Sequence, residues 1–293
     1  LSASECQDVL WTHNDAGNGP LIYAMDLRGK HLGVWRVTGA GSTDWESIAT
    51  YRDASGTCQL LIGDIGDNDA VRKSVTIAKV PFGRGDRTVD APTYELAYPD
   101  GAHDAETLLA DPATGQVLVV TKEAFGRIHA APEVLDPDGP NELRPLGRVL
   151  GFATDGSFFP DGRHVVIRNY GQAAIYTWPE LERVTTVQLP PQPQGEAVTV
   201  SVAGEVLIGS EGVGAQVLRV QLPADVVQLM AKADEEQNDI VWLTPRGQRD
   251  RTAEEVRSEG LQLSRAPYTP PRAPGDPLRA PKNNKTPNKT KCQ

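Results

Sequence analysis

The chain has 293 residues, of which 39% are hydrophobic and 23% charged, a balance that excludes wholesale disorder and a membrane-embedded protein. Its net charge of −10 is unevenly spread: residues 1–264 carry 22 basic and 38 acidic side chains, a net −16, which disfavours nucleic acid and anionic membrane surfaces and favours cations or cationic partners. No apolar run approaches a membrane span, and Leu1–Glu5 lack the basic start and apolar stretch of a signal peptide, so the chain reads as an exported protein whose leader is already gone.

In chain order, "DVLWTHND", "LIYAMDL" and "LGVWRVT" read as the second, third and fourth strands of a unit whose first strand is the stump "LSAS". The whole unit then recurs roughly every 45 residues. It opens with an acidic strand ("TDWESIAT", "HDAETLLA", "ATDGSFFP", "PQGEAVTV"), followed by a turn rich in Gly, Asp and Pro and an apolar run ("QLLIGD", "VLVVTKE", "HVVIRN", "EVLIGSE"). Third strands follow in "VTIAKV", "RIHAAP", "AAIYTW" and "QVLRVQL", and fourth strands in "TYELAYP", "LRPLGRV" and "RVTTVQL". Four antiparallel strands per unit make a propeller blade. The fold class is therefore all-β, a β-propeller over residues 1–223 with five visible blades, the first truncated and the last without an obvious outer strand. A sixth blade is left open. Residues 224–245, with the helical "ADVVQLMAKADEEQ" and the strand-like "DIVWLTP", form a closing or packing segment. From 246 to 293 the pattern fades into a Pro/Lys-rich tail with too little to bury, read as largely disordered. Asn284 and Asn288 there begin glycan-acceptor triplets that count only in a eukaryotic secretory route.

Aligning the opening strands puts Glu46, Glu106, Gly156 and Glu196 in one column, with Asp155 one place earlier in the odd blade. First strands line the axis of a propeller, so these carboxylates converge and repel unless protonated, solvated or neutralised. A hard divalent cation, calcium, with about six to eight oxygen ligands is the simplest compensation. Equally, each Glu serves its own hairpin without metal. A second column ends the second strands with His13, Asp64, Glu123, Asn169 and Ser210, followed by Asn14 and Glu211 in the outer two units, and marks one wet rim where a ligand would sit. Asp64, Asp67, Asn68 and Asp69 supply closely spaced oxygens, as a weak ion site or a plain turn.

The histidines His13, His31, His103, His129 and His164 show no zinc spacing; His13 beside Asn14 and Asp15, and His103 beside Asp104, are the best-placed general bases, with structural roles as the alternative. No serine-hydrolase elbow and no nucleotide-binding glycine pattern occurs. Trp11, Trp35, Trp45 and Trp178 read as blade-packing residues. Cys6 and Cys58 occupy the same hairpin turn in successive units, so they either bond across about fifty residues, worth ~3–4 kcal/mol in the loop-entropy model, or are two buried thiols. The bond would place the chain in an oxidising compartment. Cys292 has no evident mate.

Together, "LWTHNDAG", "DWESIA", "LIGDIGDN", "PDGAHDAETLL" and "PPQPQGEAVTV…VLIGSEG" resemble the secreted bacterial β-propellers grouped with phytase-like and gluconolactonase-like proteins, over residues 1 to about 223. The resemblance implies a calcium ion in the channel, held at positions matching Glu46, Glu106 and Glu196, with Asn14, Asp64 and Asn169 as partners. Of the basic phosphate-binding residues of the phytase pattern, only Lys122 and Arg168 on the rim have any counterpart, so phytate hydrolysis is not implied. Two functions follow. One is an extracytoplasmic, monomeric binding or scaffolding module, secreted, periplasmic or at the cell surface, that takes a small molecule or protein at the channel mouth. The other is a calcium-dependent hydrolase of a small ester, lactone or phosphoester, with His13, His103 or a rim carboxylate activating water.

Overall fold

The fold described here is that of a computed structural model, which describes residues 1–3, 9–14, 19–53 and 55–240, with side chains to residue 232. Five sheets follow one another along the chain. Blade one holds β1 (Ser2–Ala3), β2 (Leu10–His13), β3 (Leu21–Met25) and β4 (His31–Thr38). Blade two holds β5 (Trp45–Arg52), β6 (Cys58–Asp64), β7 (Val75–Pro81) and, after an excursion as β8 (Arg87–Asp90), β9 (Thr93–Ala97). Blade three is β10 (Ala105–Ala110), β11 (Val117–Thr121) and β12 (Arg127–Ala130), then the excursion β13 (Asn141–Glu142) and the outer β14 (Arg144–Arg148). Blade four is β15 (Asp155–Phe158), β16 (His164–Arg168), β17 (Gln172–Thr177) and β18 (Arg183–Gln188). Blade five is the three-stranded β19 (Gly195–Val200), β20 (Val206–Ser210) and β21 (Leu218–Val220). The chain is an all-β propeller of five blades, mostly antiparallel.

The hairpins after the inner strands share one device. Asp53 Oδ1 accepts the N–H groups of Ser55 and Thr57, both at 2.9 Å; Asp111 Oδ1 accepts those of Ala113 (2.7 Å) and Thr114 (3.1 Å); Asp161 Oδ1 those of Arg163 (2.9 Å) and His164 (3.1 Å). Ser201 fills the position in blade five. A short polar side chain that closes the turn on its own backbone makes the reversal local, and so repeatable.

Successive blades are also clasped at their outer edges. β8 leaves blade two and pairs in parallel with β4, and β13 leaves blade three and pairs in parallel with β9. The first clasp is tightened by Trp35 Nε1 donating to Gly85 O (2.6 Å) and by the Arg87 guanidinium 4.6 Å above the Trp35 ring. A Cβ at Gly33 would lie 2.7 Å from Gly85 O, so the approach demands glycine. In the second, Asn141 Nδ2 donates to Glu95 O at 2.9 Å. Both excursions cover an edge that would otherwise present unpaired backbone groups.

Around the axis the inner strands β1, β5, β10, β15 and β19 touch in turn, and β19 meets β1 again. Ala3 is the joint: its N–H donates to Thr199 Oγ1 of blade five (2.7 Å) while its carbonyl accepts from Thr50 Oγ1 of blade two (2.8 Å). Among the described residues the ring thus closes with five blades, Ser2–Ala3 standing as the first inner strand. Helix α1 (Ala224–Ile240) packs on β18 through buried Val226 and Met230. The strand-like "DIVWLTP" begins on the last two residues of that helix, and the rest of it, 241–245, lies outside the described residues. Four clusters of buried apolar residues fill the seams from blade one to blade five, and Trp11, Trp35, Trp45 and Trp178 are all buried in them. The seam between blades five and one holds a cavity instead. Among the described residues no helix is long and apolar enough to cross a membrane.

Candidate functional site

The carboxylate column has a backbone cause that the sequence did not announce. In β5, Trp45 and Ser47 pair with the adjacent residues Asp64 and Gly63, leaving Glu46 as the extra residue of a bulge. Glu106 is the extra residue between Ala105 and Thr107 in β10, and Glu196 between Gly195 and Ala197 in β19. A bulge bends its strand and re-aims the side chain it carries. All three glutamates consequently line one cavity of about 580 Å³ that runs along the axis and into the seam between blades five and one.

Blade four departs from this for a steric reason. Its inner strand pairs without a shift, and a Cβ at Gly156 would stand 2.7 Å from Ile167 Cδ1 and 3.1 Å from Thr107 Cγ2. No glutamate fits there. The carboxylate sits instead at Asp155, which accepts the N–H groups of Gly156 and Val198, each at 2.8 Å, and approaches Ser47 Oγ at 3.5 Å. Burial pushes its carboxyl up to about 6 in spite of these hydrogen bonds. Asp155 therefore stitches three inner strands together while still contributing to the cavity wall.

The other wall groups are partly engaged. Glu106 is buried and pairs with the Lys122 ammonium; burial pushes its carboxyl up to about 7, Lys122 pulls the other way, and Glu196 and Asp104 add to the rise. Lys122 lies 5.6 Å above the Tyr170 ring, and its own pKa is raised, because the Glu106 and Tyr170 contacts outweigh its desolvation. Gln194 Nε2 donates to Glu196 Oε1 (3.1 Å) and also to Glu211, at the end of the neighbouring strand of the same blade. Asp44 and Glu46 both crowd the backbone at Gly66, where a Cβ would stand 2.7 Å from Glu46 Oε1. His13 and Asn14 lie on the same wall, His13 Nδ1 3.0 Å from Asn14 O and Asn14 Nδ2 donating to Tyr23 OH at 3.1 Å.

Several candidates from the second column stand elsewhere. Asp64 is buried, pairs with Arg72 at 2.8 Å and accepts the N–H groups of Thr43 (2.8 Å) and Asp44 (3.1 Å), so it fastens a loop. Asp67 accepts from Val71 and Arg72, which makes "DIGDNDA" a closed turn. Asn169 caps its hairpin through the N–H groups of Gly171 and Gln172 and donates to Gly151 O. His103 is clamped between Glu123 (Nδ1, 2.7 Å) and Asp100 (Nε2, 2.9 Å); burial lowers its pKa, but the two carboxylate contacts prevail and raise it. Both of its nitrogens are thus engaged by carboxylates. Arg168 is fully buried instead of on the rim, donating to Asn169 O (3.0 Å), Gln192 Oε1 (3.1 Å) and Ala197 O (2.9 Å); burial lowers its pKa to about 10, so it stays charged behind the Glu196 strand.

Cys58 opens β6 half-buried; Cys6 and Cys292 lie outside the described residues, as does everything expected of 246–293. Thr154 is a wall residue that sequence reading missed: it is 3% exposed, and among the described residues its buried hydroxyl has no hydrogen-bond partner. Among the described residues, no three His, Cys, Asp or Glu side chains stand close enough to hold a metal ion as they are placed. Comparison of the chain with known protein families and with curated proteins finds no match.

Proposed function

We propose that this propeller is a ligand-binding or scaffolding module working outside the cytoplasm, and that its axial cavity takes a positively charged guest. The observation that carries this reading is the bulge beneath Glu46, Glu106 and Glu196, three independent backbone irregularities that turn an acid onto one cavity. A bulge costs ladder hydrogen bonds, and Glu46 and Glu196 bring further acid to the cavity beside the Glu106–Lys122 pair, so a cationic guest is a simple rationale. Calcium, a hard cation that takes carboxylate, carbonyl and water oxygens, is the simplest such guest. It would have to draw Glu46, Glu106 and Glu196 inward and complete its shell with solvent. The proposed location rests on the Cys6–Cys58 pairing expected from the sequence and on the resemblance to secreted propellers.

A hydrolytic reading has one observation in its favour, the presence of His13 on the same wall as the glutamates. It would use His13 to activate water and the cation to polarise a carbonyl or phosphoryl oxygen. Calorimetric and melting titrations of chelator-treated protein with calcium test the binding reading, and turnover of a small ester, lactone and phosphoester panel tests the hydrolytic one. Turnover lost in His13→Ala with calcium binding intact would favour hydrolysis.

A further inference from the structure

Apolar side chains face solvent at the end of the propeller where the cavity's glutamates lie; Val213 lines the cavity itself, and Lys122, which pairs with Glu106 of its wall, also lies over the Tyr170 ring. Hairpins joining second to third strands and crossovers between blades emerge at the same end of a propeller, the end where the bulged glutamates sit. On these loops Phe125 is 69% exposed, Phe152 54%, Tyr170 45%, and Val213 fully so. The first three belong to adjoining loops. Phe152 N–H donates to Glu123 O at 2.7 Å, and Asn169 Nδ2 donates to Gly151 O at 3.2 Å, so the loops carrying Phe125, Phe152 and Tyr170 are fixed side by side. Phe152 also holds φ at 56°, a conformation bulky residues rarely adopt. Soluble monomers seldom leave such rings clustered in water.

We propose that this rim and the cavity together dock a basic, extended polypeptide segment of a partner protein. One lysine or arginine of that segment enters the well, and its apolar neighbours cover Tyr170, Phe152 and Phe125. Charge complementarity selects this occupant: the well presents Glu46, Glu106, Glu196 and Glu211, and these acids repel the phosphates of a membrane or a nucleic acid. Lys122 over Tyr170 at 5.6 Å and Arg148 over Phe125 at 5.5 Å already stand on two of the rim rings, so the rim takes the apolar neighbours and the acidic well takes the cationic side chain. At about 580 Å³ the well accommodates whole side chains and far exceeds one ion.

This inference rests on the positively charged guest proposed above and names its carrier. The test is fluorescence anisotropy with a short peptide alternating Lys and Leu, against Gln/Leu and Glu/Leu counterparts and anionic vesicles, using the full chain. The expected result is salt-sensitive binding of the Lys/Leu peptide alone, weakened about tenfold or more both in Phe125→Ser with Tyr170→Ser and in Glu196→Gln with Glu211→Gln. Equal binding by the rim variant reduces the interaction to general charge attraction and overturns the proposal. So does equal binding of the Gln/Leu peptide, or binding of the vesicles. Calcium titrations on the same variants separate the two readings: calcium sensed by the cavity with no peptide bound removes the docking proposal alone, and silence to both removes both. The rim substitutions lie in solvent, so unchanged melting certifies their fold.

Discussion

Asp155 Oδ2 in the fourth inner strand accepts the backbone N–H of Val198 in the fifth at 2.8 Å, and its other oxygen accepts the N–H of Gly156 at 2.8 Å. One buried carboxyl thereby joins two blades at the axis. Replacing it with alanine strands two buried donors, and each unsatisfied donor costs about 1–3 kcal/mol. Asp155→Ala is expected to lose several kcal/mol in denaturant unfolding, and Asp155→Asn, which keeps one acceptor, clearly less. Equal losses would show that the charge, and not the two hydrogen bonds, matters.

The acids at the axis set a pH dependence. Glu106 is pushed up to about 7 and Asp155 to about 6, both above their ordinary values of 4.5 and 3.8. The folded state therefore holds these protons more tightly than the unfolded chain, and stability falls as pH rises from about 4 to about 7, then levels off. The expected observation is a higher melting temperature at pH 5.5 than at 7.5, with the difference shrinking in Glu106→Gln. The Glu106 share is on the order of 1–3 kcal/mol. A melting temperature that climbs over that range would contradict the assignment.

Gly66 controls Glu46 from behind. An added methyl would stand 2.7 Å from Glu46 Oε1 and press on Asp44 as well. If the cavity takes calcium as proposed, Gly66→Ala should shift that affinity severalfold with only a small drop in melting temperature, since the Asp44 and Glu46 carboxylates it meets are side-chain ends that can move. Unchanged affinity would mean that Glu46 takes no part in binding.

The outer clasp is open to the same kind of probe. Gly33→Ala places a Cβ 2.7 Å from Gly85 O, backbone that cannot swing aside, and should destabilise by about 1–3 kcal/mol. Proteolysis is expected to begin at the β8 excursion in this variant, and cleavage elsewhere first would show that the clasp is dispensable.

The blades were legible because their determinants are local. Asp53, Asp111, Asp161 and Ser201 each close a turn on backbone only a few residues away, and the alternation around them is that of half-buried strands. The clasping strands were not, because Arg87–Asp90 and Asn141–Glu142 are short, polar and paired with strands of another blade, so no period marks them. In the same way the glutamate column was visible as residue type, while the bulges that aim it depend on cross-strand register. Gly156 looked like a gap in the column and is a packing requirement against Ile167 and Thr107. Arg168 and Asn169 followed the polar switch at the strand end, yet burial behind Glu196 and a hairpin cap absorb them. A strand-end position fixes height along the axis. It does not fix whether the side chain faces the hole or the neighbouring blade.

Isothermal calorimetry of chelator-treated protein with calcium, in parallel with Glu46→Gln combined with Glu196→Gln, tests the acidic well most directly. The account predicts saturable binding to the unaltered chain, with protons released as Glu106 ionises, and none to the double variant. Binding that persists undiminished in the double variant would place the cation elsewhere and contradict it.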